Sequence, residues 1–574
     1  MLFREARAGT PGWLLQRDQA TEASVGCLPR AISIAAACII LSGALGLLVA
    51  TEHAPPRLWF AAAVTIAIAA ALTFATRRLM FASAATLVLV AGILLVSRTK
   101  MSAMNLALHS YDAFFYLNAP TLRFLWESYP AYLVSAAAFV LCAALVLAVC
   151  WRFDRSECPR ILAIAACLVM AAVAAWIETW PSGLAFEFTD ARNANVSSYY
   201  LTWPATAEAI ARGQPLEAAA STALPPFAPL SGCALPTAPP HILLIHQESL
   251  VQPSLFPQLD YDRVLDRFFL SDDGELHPLR VETYGGVSWV TDFSLMAGIS
   301  SRFFGSLRTF VQVFTTGKLT ETLPQSLKNC GYRNMLFFPF DAHFLSHDKF
   351  YKSIGFDEVF DRRAQGITSI HERDRVYFEN ALFAIDRHLQ ASGAPFFVYV
   401  QTMTAHGPYS FKYLPGEDVA GGGPGTPSAM SEYLRRAAIV QRDGEWLIEQ
   451  LKRRFPTQRI LIIRFGDHHP TATSELLPSE AKDERSTTSS RFTTFYAIKG
   501  HNLVIPRLPS YDAIDVSYLG NIILEAAGLP LSEAQTHRRA LMQACAGKYF
   551  SCERRDEILA FHRRLIQSDL IRSP

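Results

Sequence analysis

The sequence predicts a bundle of five transmembrane helices followed by an α/β domain with a mostly parallel central sheet. Two observations predict this architecture. Apolar residues make up 51% of the 574, and the longest apolar runs all lie in roughly the first 180 positions. From residue 241 onward, strand-like and helix-like segments alternate instead. We therefore expect a membrane anchor at residues 1–180, a connector at 181–240 and a second folded domain at 241–574.

Five apolar segments each approach the roughly 20 residues that cross a hydrocarbon core. They lie at residues 31–50, 58–76, 79–96, 131–150 and 161–176. Any one of them could be a buried helix of a soluble protein, but five in close succession favour a polytopic anchor. A cleaved signal peptide is the weaker interpretation, because a stretch of 30 residues with several arginines precedes the first segment and further spans follow it.

Basic residues predict the orientation of the anchor, since short cytoplasmic loops are enriched in arginine and lysine. Arginines precede the first span, separate the second from the third, and separate the fourth from the fifth: Arg4, Arg7, Arg17, Arg30, Arg77, Arg78, Arg152, Arg155 and Arg160. An odd number of spans then places the chain after about residue 180 on the periplasmic or extracellular side of an inner (plasma) membrane. The aromatic residues of 98–130 suit either a segment on the outer membrane surface or a packed loop.

The formal net charge is +1, and no basic block stands out, which argues against a nucleic-acid partner. Four of the ten cysteines fall in the exported part, where disulfides can form: Cys233, Cys330, Cys545 and Cys552. Cys545 and Cys552 are close enough in sequence to bridge a small loop, so we favour that pair. Free thiols are the alternative.

The exported domain contains six strand-like and four helix-like segments. The strands are expected at residues 241–246, 279–283, 333–338, 395–403, 459–465 and 492–498, and the helices at 319–329, 373–390, 430–454 and 514–527. In such a fold, functional residues lie at the carboxyl ends of the strands. Residues 554–572 suit either an amphipathic helix on the membrane or a helix that closes the domain.

Polar residues follow directly on the apolar strands. Glu248 comes after the first strand, His406 after the fourth, and Asp467, His468 and His469 after the fifth. A divalent cation held by Glu248, Asp467 and His468 would have a mixed oxygen and nitrogen ligand set, which suits Zn or Mn better than Mg. Singly, each residue also has an ordinary structural explanation as a capping or hydrogen-bonded loop residue.

A candidate nucleophile lies between the second strand and a predicted helix. Gly285 and Gly286 permit a tight turn, and Ser288 follows where backbone N–H groups and the helix dipole favour an anionic oxygen or a phosphate. Bound to a cation, the Ser288 hydroxyl would lose its proton more readily and could attack phosphorus. A turn-forming or capping serine is the alternative.

These motifs occur in an order that resembles one protein family. They are Gln247-Glu248-Ser249, Gly285 to Phe293, Phe344 to Asp357, Thr404-Ala405-His406 and Gly466-Asp467-His468. The set resembles the lipoteichoic acid synthase-like branch of the alkaline phosphatase/sulfatase superfamily, which also carries a five-span anchor. The resemblance covers nearly the whole chain.

The resemblance implies transfer of phosphoglycerol or phosphoethanolamine from a membrane phospholipid to an envelope glycan or glycolipid, through a covalent enzyme intermediate and with a divalent metal, usually Mn. Glu248, Asp467 and His468 match the family's metal ligands. Ser288 matches its nucleophilic threonine and also contacts the metal. His406 matches a histidine that contacts the head group, and His347 lies where the synthases carry a phosphate-binding arginine.

Departures from the family pattern leave alternatives open. Serine replaces threonine, so Thr291 is a second candidate for the nucleophile. His469 replaces the usual tyrosine and could add a ligand, a proton donor or a substrate contact, and His347 lacks the bidentate fork of arginine. The sequence after Ser288 does not fit the formylglycine sulfatases. A phosphodiesterase or sulfatase-type hydrolase that uses the same metal site, or an inert envelope scaffold, are the rival functions.

Overall fold

The structure is a computed structural model that describes residues 30–116, 119–180, 184, 186, 188, 193–212, 216–228, 232–233, 238–343, 346–477 and 490–572. Arg4, Arg7 and Arg17 of the orientation argument, and Phe344 and Leu345 of the fourth motif, lie outside these ranges. The remaining predicted site residues are all described.

The N-terminal part contains the five predicted apolar helices. Its seven helices are α1 (Arg30–Thr51), α2 (Pro55–Thr76), α3 (Leu79–Met104), α4 (Asp112–Phe115), α5 (Ala119–Ser128), α6 (Pro130–Phe153) and α7 (Arg160–Glu178). Five of them, α1, α2, α3, α6 and α7, are 19 to 26 residues long and apolar enough to cross a membrane. A buried cluster that includes Leu48, Phe60, Val90 and Ala174 packs α1, α2, α3 and α7 together.

Two short helices, α8 (Val196–Leu201) and α9 (Trp203–Arg212), lead away from this anchor. Arg57 at the start of α2 donates a hydrogen bond of 2.9 Å to Ser198 in α8. The chain therefore leaves the apolar helices through a segment that is hydrogen-bonded back onto them.

The second part is built on an eight-stranded sheet of strand order β4-β3-β5-β1-β6-β7-β2-β8. The strands are β1 (His241–Gln247), β2 (His277–Arg280), β3 (Arg333–Phe337), β4 (Glu358–Phe360), β5 (Phe396–Gln401), β6 (Ile460–Gly466), β7 (Thr493–His501) and β8 (Ile514–Asp515). Only β7 runs antiparallel to its neighbours, β6 and β2. At the centre, His246 pairs with Gln401 and Phe465, so β1, β5 and β6 end side by side.

Helices cover both faces of the sheet. They are α10 (Ser288–Ala297), α11 (Val311–Thr315), α12 (Leu323–Asn329), α13 (His347–Ser353), α14 (Asp374–Ala391), α15 (Ser428–Arg454), α16 (Leu519–Ala526), α17 (Glu533–Ala544) and α18 (Arg555–Gln567). Leu243 and Ile245 of β1 pack with α14 and α15, whereas Ile242 and Leu244 pack with α10, α12 and α16 to α18. This alternation is what a parallel sheet buried on both faces requires.

The fold class predicted from the sequence is confirmed, and so is each of the five apolar helices. One element was wrong in part: Ile514 and Asp515 form strand β8, and the helix begins only at Leu519. A short apolar run is compatible with a helix or a strand, and residues 514–515 form a strand because they pair with β2. Strand β2 also ends at Arg280, earlier than expected, because the chain turns there toward Ser288.

The C-terminal run forms α18, which packs into the core with Phe561 and Leu565 buried. This is the domain-closing alternative for residues 554–572. The connector reaches the same helix, since the Ala219 N–H donates a hydrogen bond to the Leu559 carbonyl. The described residues form two disulfides, the expected Cys545–Cys552 pair and a second between Cys233 of the connector and Cys330. Both fit an oxidising compartment.

Candidate active site

The carboxyl ends of β1 and β6 bring Glu248 next to Asp467 and His468. The two strands approach closely here, since a Cβ on Gly466 would lie 1.9 Å from the Leu250 carbonyl oxygen. The Ser249 N–H donates a hydrogen bond of 2.8 Å to Asp467 Oδ1, which fixes that carboxylate. Residues some 220 positions apart in sequence thus share one small site at the edge of the sheet.

His468 aims one ring nitrogen at both carboxylates. Its Nε2 lies 3.1 Å from Glu248 Oε1 and 3.2 Å from Asp467 Oδ2. Its Nδ1 lies 2.9 Å from the His469 carbonyl oxygen, so Nδ1–H donates there and Nε2 faces the acids. Burial alone would lower the pKa of His468, but the charges of Asp467 and Glu248 raise it to about 9. This spot between the acids strongly favours a positive charge.

Ser288 lies at the start of α10, after a turn of left-handed residues. Gly285 and Gly286 have φ of +70° and +150°, and Val287 has +70°. A β-branched residue in that conformation is strained, so the turn is held by its surroundings. The Ser288 hydroxyl donates a hydrogen bond of 2.8 Å to Glu248 Oε2 and lies 3.3 Å from His468 Nε2. The structure therefore brings Ser288, Glu248, Asp467 and His468 together.

Thr291, the second candidate for the nucleophile, lies one turn further along α10. It is fully buried, and its hydroxyl donates a hydrogen bond of 3.0 Å to the Asp467 carbonyl oxygen. In this position Thr291 supports the backbone that presents Asp467. The geometry favours Ser288 as the attacking hydroxyl.

The other three predicted histidines occupy different surroundings. His406 is partly exposed, with Nδ1 2.5 Å from the Gly407 carbonyl oxygen. His347 is buried, with Nδ1 2.7 Å from Gln312 Oε1. His469 is also buried. Its Nε2 lies 2.6 Å from the Thr493 carbonyl oxygen, and the Thr473 hydroxyl lies 3.4 Å from its Nδ1.

These surroundings determine what the histidines can do. Burial lowers the pKa of both His347 and His469 to about 4, so both rings are neutral at pH 7. Because both ring nitrogens of His469 have partners, its geometry favours a supporting role through its carbonyl oxygen, which accepts hydrogen bonds from His468 Nδ1–H and the Gly285 N–H. Its part in binding substrate stays a prediction.

Sequence reasoning missed His246 and Asp292 as site residues. His246 precedes Glu248 by two positions and is completely buried, and one ring nitrogen of His246, one oxygen of Glu248 and one of Asp467 lie within 4.8 Å of one another. The period of two along a strand could have found His246, since it places residues 246 and 248 on the same side. Asp292 of α10 is buried next to the other side of the His246 ring.

The donor set fits a divalent cation. Among the described residues, His246 Nε2 and Asp467 Oδ2 have no hydrogen-bond partner, although both are buried. Two carboxylates balance the charge of a divalent ion, and imidazole nitrogens with carboxylate oxygens are ligands of Zn and Mn. Two buried carboxylates side by side are costly unless positive charge lies between them. The cluster thus supports a divalent metal here and does not identify it.

A cavity beside Ser288 is lined from both parts of the chain. Lys100, Phe115 and Tyr116 contribute from α3, α4 and the residue after α4, while Trp289, Gln312 and His347 contribute from the α/β domain. The Asn105 side chain donates a hydrogen bond of 3.2 Å to the Gly285 carbonyl oxygen, and Leu106 packs on Val287. The turn that carries Ser288 therefore rests on the outer end of an apolar helix.

Comparisons with known proteins agree with this fold. Residues 282–505 match the sulfatase family model. An "Uncharacterized protein" of Haemophilus influenzae is 24% identical over 311 residues, which are 52% of this chain and 54% of that protein, so the match spans about half of the relative's length.

Solved structures with a similar fold were also found. They include a Streptococcus pyogenes phosphoglycerol transferase, GacH, in complex with sn-glycerol-1-phosphate (17% identity, 60% of this chain and 89% of that chain, TM-score 0.47). Others are the lipoteichoic acid synthase LtaP of Listeria monocytogenes (17%, 50% and 72%, 0.39) and the periplasmic domain of EptC from Escherichia coli (15%, 54% and 87%, 0.36). Residues 282–505 thus match the sulfatase family model, and this match covers less than half of the chain.

Proposed function

We propose that this chain is a membrane-anchored, metal-dependent transferase that moves a phospholipid head group, phosphoglycerol or phosphoethanolamine, onto an envelope glycan or glycolipid. The observation that carries the proposal is the position of Ser288. Its hydroxyl lies against Glu248 and His468, and the adjacent Trp289 lines a cavity with residues from the membrane part.

The membrane side of that cavity favours a lipid donor over a soluble one. Lys100 belongs to the last turns of the apolar helix α3, and Phe115 and Tyr116 lie on the aromatic segment that follows it. Nearby Phe114, Trp126 and Tyr129 are half or more exposed, as aromatic residues at a membrane interface are. The membrane part of the chain therefore lies next to the turn that carries Ser288, which favours a donor held in the membrane.

In the proposed first step, Ser288 Oγ forms a bond to the head-group phosphorus while the bond from phosphorus to the diacylglycerol oxygen breaks. The Ser288 proton leaves along its hydrogen bond to Glu248 Oε2, and the departing oxygen takes up a proton from His406 or from solvent. In the second step a glycan hydroxyl oxygen bonds to phosphorus while the bond from phosphorus to Ser288 Oγ breaks. The glycan hydroxyl proton passes to His406 or to solvent, and Ser288 Oγ regains its proton from Glu248, which restores the free enzyme.

Glu248, Asp467, His468 and Ser288 would hold the divalent cation in this scheme. We propose Mn as the resident ion, with Zn or Mg as alternatives. When bound, such a cation stabilises the serine alkoxide and the charge on the phosphoryl oxygens. The ends of β1 and β6 and the strained turn at Val287 hold the Ser288 hydroxyl in place before the substrate binds, so the protein contributes to catalysis by positioning this group.

The test uses the full chain in nanodiscs that contain phosphatidylglycerol or phosphatidylethanolamine, with Mn²⁺, followed by peptide mass spectrometry. We expect a glycerophosphate or phosphoethanolamine adduct on Ser288 that is absent from Ser288→Ala. Thr291→Ser is the control, and it should keep the adduct on Ser288 because it retains the hydroxyl that supports Asp467.

The other outcomes separate the rival functions. An adduct on Thr291 would keep the mechanism and change the nucleophile. Free head group released without any glycan acceptor would favour a phosphodiesterase. A folded chain that retains no metal and forms no adduct would favour an envelope scaffold and contradict the proposal.

A further inference from the structure

His246 lies between two sets of acidic groups in the centre of the α/β domain. Its ring is completely buried. Nδ1 lies 3.1 Å from Asp292 Oδ1, and Nε2 lies 3.1 Å from Asp467 Oδ2 and 3.5 Å from Glu248 Oε2. Both ring nitrogens of His246 therefore face acidic oxygens, and these neighbours determine what each nitrogen binds.

The neighbours of Nδ1 determine where the ring carries its proton. The Tyr399 hydroxyl lies 3.0 Å from Nδ1, but its only proton is donated to Asp292 Oδ1. The Tyr351 hydroxyl and the Gln401 side-chain amide also donate hydrogen bonds to Asp292, and Oδ2 accepts both, at 2.7 and 2.6 Å. Both groups that face Nδ1 are therefore hydrogen-bond acceptors, so Nδ1 carries a hydrogen and Nε2 is left with its lone pair in the neutral ring.

On the other side, Nε2 faces only carboxylate oxygens. A lone pair aimed at two carboxylates is repulsive unless a cation lies between them. His468 Nε2 faces the same two acids. One divalent cation can satisfy both imidazoles and both carboxylates at once, whereas separate protons would have to be placed on each ring.

We propose that His246 Nε2 is a further ligand of the divalent cation, beside Glu248, Asp467, His468 and Ser288, and that Asp292 is the positioning residue that holds its tautomer. A carboxylate behind a ligating histidine is a recurrent arrangement around metals, because it fixes the ring and raises the basicity of the ligand nitrogen. The inference rests on the proposed function only in requiring that a cation binds at this site.

A second imidazole shifts the relative affinity of the site for different metals. Imidazole nitrogen suits Zn, whereas carboxylate and hydroxyl oxygens suit Mg and Mn. With His246 included, the set holds two nitrogen donors, which favours Zn over Mn relative to a site with His468 alone. The ratio of the Zn²⁺ to the Mn²⁺ dissociation constant therefore reports on His246 without any measurement of activity.

The experiment compares full-length wild type with His246→Gln and Asp292→Asn, each freed of metal with a chelator and titrated with Zn²⁺ or Mn²⁺ against a chromophoric competitor. Loss of a residue that only supports a metal ligand weakens metal binding by about 10–100-fold. We expect His246→Gln, which removes a ligand, to weaken Zn²⁺ binding by at least this much and Mn²⁺ binding by less. Asp292→Asn, which keeps the ring, should weaken Zn²⁺ binding by about 10-fold.

His241→Gln is the matched control. His241 begins the same strand, but at its opposite end, where its ring bonds Gln458 and the Phe396 N–H, so metal binding should not change. Chelator-treated samples are compared by circular dichroism, which separates loss of a ligand from loss of the fold. Pulsed electron paramagnetic resonance of the Mn²⁺ form should detect nitrogens of both His246 and His468 in wild type and of His468 alone in His246→Gln.

An unchanged or tighter affinity in folded His246→Gln would overturn the inference, because it would show that His246 is an imidazolium paired with Asp467 and competing with the metal. If His246→Gln does not fold, Asp292→Asn decides: unchanged Zn²⁺ binding in that variant overturns the inference. Wild type that binds neither metal would overturn the proposed function as well, so the two failures are distinguishable.

Discussion

At the scale of single residues, Ser288 and Thr291 show how position decides the chemistry of equivalent groups. Both carry a hydroxyl on α10 three positions apart. One faces Glu248 and His468, and the other is buried against the backbone of Asp467. Three positions displace Thr291 by about 4.5 Å along the helix axis, so Ser288 reaches the acidic residues while Thr291 reaches the backbone behind them.

His347 offers a second test at this scale. Gln312 donates to the Trp289 carbonyl oxygen through Nε2, so its Oε1 accepts from His347 Nδ1–H. With a pKa lowered to about 4 by burial, the ring is neutral at pH 7 and presents Nε2 as a hydrogen-bond acceptor. Such a group suits a glycerol hydroxyl or an ammonium better than a phosphate oxygen.

We expect His347→Phe, which keeps a ring among aromatic neighbours, to raise KM for the lipid donor by about 5–10-fold, the loss of about one hydrogen bond. Metal content should stay unchanged. Gln312→Met serves as the control, because it keeps the imidazole while removing the partner of Nδ1 and the hydrogen bond to the Trp289 carbonyl oxygen, and it should have a smaller effect. Steady-state kinetics with a lipid donor in nanodiscs measure both, and a KM unaffected by His347→Phe would contradict the assignment.

At the scale of elements, the ends of β1 and β6 position the acidic residues, and α18 holds the connector to the domain. His562 on α18 is buried, with Nδ1 2.7 Å from the Glu217 carbonyl oxygen and Nε2 3.0 Å from the Tyr549 hydroxyl. Burial lowers its pKa to about 4. This contact links the stability of the connector to pH.

The direction of that dependence follows from the two pKa values. Between pH 4 and 6.5 the unfolded chain binds the His562 proton more tightly than the folded chain does, so stability is full above about pH 6.5 and falls as the pH drops toward about 4. His562→Gln should reduce the slope by up to about 1.4 kcal/mol per pH unit. Urea unfolding in detergent at several pH values measures it, with exposed His343→Gln as the control; equal slopes for wild type and His562→Gln would contradict the prediction.

At the scale of the whole molecule, the outer end of the anchor supplies one wall of the cavity beside Ser288. Phe115 lines that cavity, whereas Phe114, its neighbour in the same short helix, is 54% exposed. Matched substitutions of Phe115 and Phe114 therefore test the contact between the membrane part and the α/β domain.

We expect Phe115→Ala to raise KM for a bilayer lipid donor by about 10-fold, since it removes a partly buried aromatic side chain from the cavity wall, and to leave turnover of a water-soluble short-chain phosphodiester nearly unchanged. Phe114→Ala should change neither cavity binding nor soluble turnover. Equal losses on both substrates in Phe115→Ala would instead indicate damage to the catalytic domain.

The two disulfides differ in the length of chain that they close, 97 residues for Cys233–Cys330 and 7 for Cys545–Cys552. Loop-closure entropy predicts that Cys233→Ser/Cys330→Ser loses about 2 kcal/mol more stability than Cys545→Ser/Cys552→Ser. Urea unfolding of the two double variants measures this difference. Equal losses would mean that local packing, and not chain entropy, dominates.

Local signals were enough to predict much of this molecule. Apolar length alone predicted the five long apolar helices, and period and strand-end position predicted the sheet and the cluster of Glu248, Asp467 and His468. The same signals failed at Ile514, where a short apolar run had no local feature to separate strand from helix. They favoured Ser288 as the nucleophile but left Thr291 as a second candidate, since both are hydroxyls after the same turn.

The sequence by itself determined the anchor, the class of fold and the order of the chemical motifs, because each depends on residues that are neighbours along the chain. Only the tertiary structure decided that His246 and Asp292 join the site, that His469 is turned to support it, and that α3 and α4 line the cavity beside Ser288. These features arise from contacts between residues distant in sequence, which form when the strands pair and the two parts pack together.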